Sequence, residues 1–391
     1  MLKVDFAERV KRLPPYLFAK IQEILQEKRQ AGKEVISLSI GDPDLPPPPI
    51  ILESLKKEAA DPTAHGYSSS RGESEFRETV SEWMKGRFQV DVNPEEEVAA
   101  LLGSKEGIAN VARAFINPGD HALVPNPAYP VYENGGVLLS GGVPVSMPLL
   151  KDNNFLPDLE NIEDSDAKMM FLNYPNNPTG AIATEDFLKK CVDFALENGI
   201  ILCYDNAYSE ITYEGYTAPS ILEIEGAKDV AIEFHSCSKT FNMTGDRIAF
   251  AVGNSKIIEG LVKVKSQIDS GPSKYIQRAV IPALRSYQKN KPIEYIKEMN
   301  DTYRRRAKVL VKSLCEIGLK CNIPKATFYV WTECGEDSME FTRKLIEEGV
   351  VATPGVGFGK YGEGYVRFSL TRPIQDIQEA CQRIEKIQTD R

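Results

Sequence analysis

The chain has little of what marks several large classes of protein. Its 391 residues hold only three histidines, His65, His121 and His235, far apart, and seven cysteines with no CxxC pair. Neither a histidine-based metal centre nor a zinc knuckle is indicated, so no metal is expected. An odd cysteine count in a long chain is no disulfide framework, and reduced, mostly buried thiols are the expectation. No apolar run nears the roughly 18 residues that a membrane helix needs. The opening MLKVDFAERVKRLPPYLF scatters its charges and lacks the apolar centre of a signal peptide. Blocks of one charge sign are missing too: 47 Lys and Arg against 56 Asp and Glu leave a net charge of −9, which disfavours nucleic acid or anionic lipid as a partner. A cytoplasmic protein with no membrane or nucleic-acid contacts is expected.

What is present is ordinary globular composition, 42% hydrophobic and 26% charged, in a chain long enough for two or three domains. Leu17, Phe18, Ile21, Ile24 and Leu25 recur at helical spacing behind Pro14 and Pro15, which predicts an N-terminal arm helix over 16–30. VISLSIG (35–41) reads as a strand, and the prolines of DPDLPPPP (42–49) make a rigid connection into a new unit. From about 50 to 290 short apolar runs alternate with amphipathic stretches: VAALLG then KEGIANVARAF, HALVP then YPVYENGGVLL, MMFLNY then TEDFLKKCVDFAL, IILCYD, VAIEFHS, RIAFAVG. Such alternation predicts an α/β fold with a mainly parallel sheet covered by helices on both faces. A helix over 292–317, strands FYVWTEC and YVRFSL and a last helix from about 373 make a smaller α/β unit. The expected division is an arm with part of the small domain (1–47), a large domain (48–290) and a small C-terminal domain (291–391). GVGFGKYGEG (355–364) has GxG spacing without a strand-turn-helix frame, and reads as a loop.

Four polar clusters fall at the ends of predicted strands: GSKEG (103–107), NNPTG (176–180), DNAY (205–208) and HSCSKTFNMTGDR (235–247). In sheets of this kind ligands bind beyond the carboxyl ends of the strands, so the clusters can meet at one site. Lys239 stands among the hydroxyls Ser236, Ser238, Thr240 and Thr244, a setting for an amine held neutral by burial and positive neighbours, able to condense with an aldehyde. Taken alone it is a solvated loop lysine. Asp205 either points from the sheet edge to hold a ring nitrogen protonated or caps a helix. Tyr208 and Asn177 are donors to a phenolate oxygen, or a surface tyrosine and a turn asparagine. Tyr129 offers a face for stacking or packs in the core. Ser104 and Lys105 at a helix start, with Ser236, Ser238 and Arg247, suit a phosphate, although Ser104 also suits a plain cap. Arg367, inside YVRFSL, either forks onto a substrate carboxylate or faces solvent.

The motifs SIGDPD, GSKEG, NPAYPVY, NYPNNPTG, DNAYSEI, HSCSKTFNMTGDR and GEGYVRFSL, in this order and almost end to end, resemble the class I/II aminotransferases, pyridoxal phosphate enzymes of fold type I. The resemblance implies that Lys239 bonds the cofactor aldehyde, Asp205 pairs with the pyridine nitrogen, Tyr208 and Asn177 hold the ring oxygen and Tyr129 stacks on the ring. It assigns Ser104, Lys105, Ser236, Ser238 and Arg247 to the phosphate, and Arg367 to the substrate α-carboxylate. Tyr67, in HGYSSSRG, matches the tyrosine that reaches the neighbouring subunit's phosphate, so a homodimer with shared sites is implied. LPPYLF, GSKEGIA, NYPNNPTGA, IEFHSCSKTFNMTG and SQIDSG look most like the LL-diaminopimelate aminotransferases, which move an amino group between glutamate and tetrahydrodipicolinate in lysine synthesis. Tyr16, Gly41 and Asn177 match positions near the substrate there. One departure stands out: GDRIA, with Asp246 and Ala249, replaces the common GWRIG, placing an acid beside Arg247. Within the fold, aspartate, alanine or aromatic aminotransferases, a lyase acting at the β or γ carbon, and a non-catalytic cofactor-binding regulator are the alternatives.

Overall fold

The computed structural model describes residues 4–14, 26, 30, 32, 34–162, 166–287 and 292–387. The arm helix expected over 16–30 lies almost wholly outside the described residues, and Tyr16 with it. The centre is a seven-stranded sheet made of β2 (Val98–Leu101), β3 (His121–Asn126), β4 (Val143–Pro148), β5 (Met169–Asn173), β6 (Ile201–Asp205), β7 (Ala231–Ser236) and β8 (Ala249–Gly253), in the order β2-β8-β7-β6-β5-β3-β4. Neighbours from β7 to β4 pair in parallel, whereas β8 is antiparallel to both β7 and β2. Two reversals cancel, so β2 runs with the parallel strands and its carboxyl end shares their edge.

Alternate residues of one strand join different cores. Leu123, Met170, Leu172, Leu202 and Tyr204 pack into one apolar cluster, and Ala122, Val124, Met169, Phe171 and Cys203 into another. A sheet whose side chains alternate by strand geometry and are apolar on both sides must be covered on both. Ile108, Val111, Ile257 and Leu261 of the helices Ser104–Phe115 and Ser255–Lys265 complete the second cluster. Residues of Ser74–Phe88, Glu185–Asn198 and Lys274–Arg285 complete the first.

The remaining strands lie apart from this sheet. β1 (Ile36–Ser37) pairs in parallel with β10 (Val350–Val351). β12 (Tyr365–Ser369) is the middle of a three-stranded antiparallel sheet between β11 (Thr353–Pro354) and β9 (Tyr329–Glu333). The long helix Glu294–Glu316 and the helices Ser338–Glu347 and Ile374–Ile384 accompany them. Of VISLSIG only two residues pair as strand; the chain then runs extended through its prolines until a helix begins at Pro49. No helix among the described residues is long and apolar enough to cross a membrane.

Candidate active site

A cavity of about 540 Å³ opens at the carboxyl edge of the large sheet. Asn173 ends β5, Asp205 ends β6 and Ser236 ends β7, while Gly103 turns the chain from β2 into the helix that starts at Ser104. The smaller sheet supplies Tyr329 and Arg367, and the extended segment after β1 supplies Ile40, Gly41 and Asp42. The structure thus brings together Ser104, Lys105, Tyr129, Asn177, Asp205, Tyr208, Ser236, Ser238, Lys239, Arg247, Arg367 and Gly41 around one space. Tyr67 is not among them. It is 90% exposed and lies beside His65, Ser68 and 270–273 at a second hollow.

Lys239 follows the wholly buried β7, on the single helical turn Cys237–Thr240. Its ammonium donates to the Gly41 carbonyl at 2.8 Å and stands 5.4 Å from the centre of the Phe328 ring. Burial pulls its pKa down to about 8, with Arg367 and Arg247 adding to the fall and Asp42 opposing it. An amine so placed loses its proton far more readily than a surface lysine. Gly41 is fixed by space: a Cβ there would lie 1.9 Å from the Tyr329 hydroxyl.

Asp205 is buried, and that burial pushes its carboxyl up to about 6 against the hydrogen bonds it accepts. The Tyr132 hydroxyl donates to its Oδ2 at 2.7 Å and the Ala207 amide to its Oδ1 at 3.3 Å. The Asn173 side-chain amide donates to the Asp205 carbonyl, while its oxygen accepts from the Asn177 backbone amide, so the two loops hold each other.

Arg367, expected either to face solvent or to grip a carboxylate, is 1% exposed and at the cavity wall. It donates to Asn177 Oδ1 at 2.6 Å and to the Ser39 carbonyl at 2.7 Å. Its guanidinium stands 4.1 Å from the Tyr329 ring centre and 4.6 Å from that of Phe358. The Tyr329 hydroxyl is 3.2 Å from that of Tyr208. A cation stacked between rings and tethered at two nitrogens is preorganised for a planar anion.

At the other end the Arg247 guanidinium donates to the carbonyls of Thr244 and Leu102, not to its neighbour Asp246, so the acid in GDRIA leaves this arginine at the cavity. Arg247 has φ 56°, a left-handed conformation that costs a non-glycine residue roughly 1 kcal/mol. A Cβ on Gly103 would meet the guanidinium at 2.3 Å. This glycine lets a positive group lie against the first amides of a helix, and with Ser236 and Ser238 beside them the cradle suits a phosphate. With Lys239 and Asp205 across the same space, the residues fit pyridoxal phosphate in size, charge and donor type.

Several lining residues escaped the sequence reading. Tyr132 stands three residues after Tyr129 in the same motif, and its ring sits edge-on to it at 6.0 Å. Asp42 lies within SIGDPD, and its carboxylate accepts from Thr244 Oγ1 at 2.7 Å. Tyr329 opens β9, which the sequence marks only as a strand of the smaller unit. Among the described residues no group of three or more His, Cys, Asp or Glu is placed to hold a metal.

Known proteins resemble the chain along nearly its whole length. Curated relatives include the LL-diaminopimelate aminotransferase of Aquifex aeolicus, 50% identical over 98% of this chain and 99% of that protein. The enzyme of that name from Desulforudis audaxviator is 47% identical over 97% and 96%. Among solved structures, apo-BacF of Bacillus subtilis superposes with a TM-score of 0.93 at 38% identity, covering 99% of both chains. A probable N-succinyldiaminopimelate aminotransferase of Thermus thermophilus gives 0.88 at 35% identity, covering 95% of this chain and 99% of that one. The family described as aminotransferase class I and II matches residues 33–384, and to that family this chain belongs.

Proposed function

We propose that the chain is a pyridoxal phosphate-dependent aminotransferase that exchanges an amino group between glutamate with its 2-oxo acid and LL-diaminopimelate with tetrahydrodipicolinate. The observation that carries the reaction class is the Lys239 amine, its pKa drawn down to about 8, on one cavity with Asp205 and Arg367. The substrate pair rests on relatives of that activity at 47–50% identity over nearly full length.

Ser104, Lys105, Ser236, Ser238 and Arg247 would hold the cofactor phosphate, Tyr129 its ring face, Tyr208 and Asn177 its ring oxygen and Asp205 its ring nitrogen. When bound, the cofactor supplies an aldehyde for the amino group and a ring that takes up the electron pair released at the substrate α-carbon. The protein does the rest. Arg367 fixes the substrate α-carboxylate, worth at best about 7 kcal/mol in orientation. Lys239 would take the proton from the α-carbon as a base and, as an acid, give it up on the other side of the transferred nitrogen, which an amine titrating near the working pH does well in both directions. Asp205, buried at the end of β6, would face the ring nitrogen as a carboxylate and keep a positive charge there. Tyr67, exposed and away from its own cavity, would reach the phosphate of a second copy in a homodimer.

The test is a screen of amino donors against the cofactor-loaded protein with 2-oxoglutarate. Glutamate formed fastest from LL-diaminopimelate is the expected result. Rapid reaction of aspartate, alanine or an aromatic amino acid while diaminopimelate stays inert would overturn the substrate assignment. Release of pyruvate and sulfide from cysteine without amino transfer would overturn the reaction class.

A further inference from the structure

Five of the seven cysteines are buried: Cys191, Cys203, Cys237, Cys334 and Cys381. The other two differ. Cys315 is exposed, Cys321 is half-buried, and their sulfurs stand 4.0 Å apart. We propose that Cys315 and Cys321 form a thiol–disulfide exchange site, closing to an intramolecular disulfide when a small disulfide such as oxidised glutathione meets the exposed sulfur.

The backbone on both sides is already fixed. Cys315 lies in the last turn of the helix Glu294–Glu316, whose end is tied by the Gly318 amide to the Cys315 carbonyl and by the Leu319 amide to the Leu314 carbonyl, both at 3.0 Å. Just before Cys321, Lys320 bridges Glu333 at the end of β9, with the Glu333 amide donating to the Lys320 carbonyl at 2.9 Å. A disulfide requires an S–S separation of about 2.05 Å, so the sulfurs need to close by only about 2 Å through side-chain rotation. With no third ligand beside the two thiols among the described residues, a tetrahedral metal site is not the better reading.

The two sulfurs have different parts to play. The Cys315 thiolate attacks one sulfur of the oxidant, breaking its S–S bond and expelling one glutathione thiolate. The Cys321 thiolate then attacks the Cys315 sulfur of the mixed disulfide and expels the second glutathione. Two cysteine thiols lose two electrons and one external disulfide gains them. Burial, with Cys315 alongside, pushes the Cys321 thiol up to about 12, which leaves the exposed Cys315 as the entering sulfur and makes ring closure quicken with rising pH. The closed bond would staple the helix end to the segment that runs from Cys321 into Tyr329 at the cavity.

The experiment is incubation of the folded, cofactor-loaded protein with oxidised glutathione, followed by intact-mass measurement and peptide mapping under non-reducing conditions. The wild type is expected to lose two hydrogens and yield one cross-linked pair, 315 with 321. Cys321→Ser is expected to stop at a glutathione adduct on residue 315, and Cys315→Ser to react at least tenfold more slowly than the wild type. A stable wild-type adduct on Cys315 with no ring closure, or a cross-link between other cysteines, overturns the proposal. All three proteins should keep their amino-transfer rate before oxidation, which shows each folded.

Discussion

Lys239, half-buried at the cavity, and Lys265, fully buried, both neighbour the first turn of the helix Ser104–Phe115, yet their surroundings differ in kind. Lys239 shares its cavity with Ser104 and Lys105 and meets a backbone carbonyl, with no carboxylate in bonding range among the described residues. Lys265, fully buried, lies between Glu106 and Asp269, with all four carboxylate oxygens within 3.3 Å. Desolvation penalises the charge in both cases; only nearby anions offset it. Lys239 meets its anions, Asp42 and Asp205, only at a distance and gives up its proton the more readily, whereas Lys265 is clasped by two carboxylates and ties elements together. Glu106 also accepts from the Leu102 amide, so the second lysine braces the turn on which the phosphate cradle is built.

That contrast can be broken in four ways, in decreasing order of effect. Lys239→Ala should lower steady-state amino transfer by about 10³-fold or more, and borohydride should no longer fix cofactor to the peptide carrying position 239; near-normal turnover would end the assignment. Lys265→Met should instead cost stability, about 3 kcal/mol in urea unfolding, because two carboxylates remain partly buried without their cation. Its turnover per folded molecule should stay within a few-fold of wild type, and adding Glu106→Gln and Asp269→Asn should restore much of the loss.

Asp205→Asn tests burial without a cation. The folded carboxyl titrates near 6 against an ordinary 3.8. A raised pKa contributes stability that is full below the ordinary value and lost as pH rises through the folded one. Cofactor-free Asp205→Asn should therefore be more stable than wild type by about 2–3 kcal/mol at pH 8, an advantage that disappears below pH 4, while amino transfer collapses. Tyr132→Phe removes one donor to that carboxylate, so in the cofactor-free protein the Asp205 titration, followed by carboxyl NMR, should move up by about one unit. An unmoved titration would show that Tyr132 does not set the charge of Asp205.

Much of this was legible in the sequence, for a physical reason. Parallel strands buried on both faces are uniform apolar runs, so the polar clusters GSKEG, NNPTG, DNAY and HSCSK stand out at their ends. Direction was not legible: a doubly buried strand reads alike either way, and β8 gave no sign of running against its neighbours. β4, VPVSMP, was hidden by its prolines, which an edge strand tolerates. YPVYENGGVLL has the expected amphipathic pattern but winds as a wide π-helical turn over Val131–Val137. The bond from Tyr132 to Asp205 joins residues 73 apart, beyond any local pattern. Nothing in the spacing of Cys315 and Cys321 distinguished them from the buried thiols.

Arg367 cannot swing. Ring faces 4.1 and 4.6 Å away and bonds to Asn177 and Ser39 leave its guanidinium one orientation. With Arg367 as the proposed carboxylate anchor, both substrates would present that group at the same spot, whatever their length. Choice between amino donors would then fall to the opposite end of the molecule being bound.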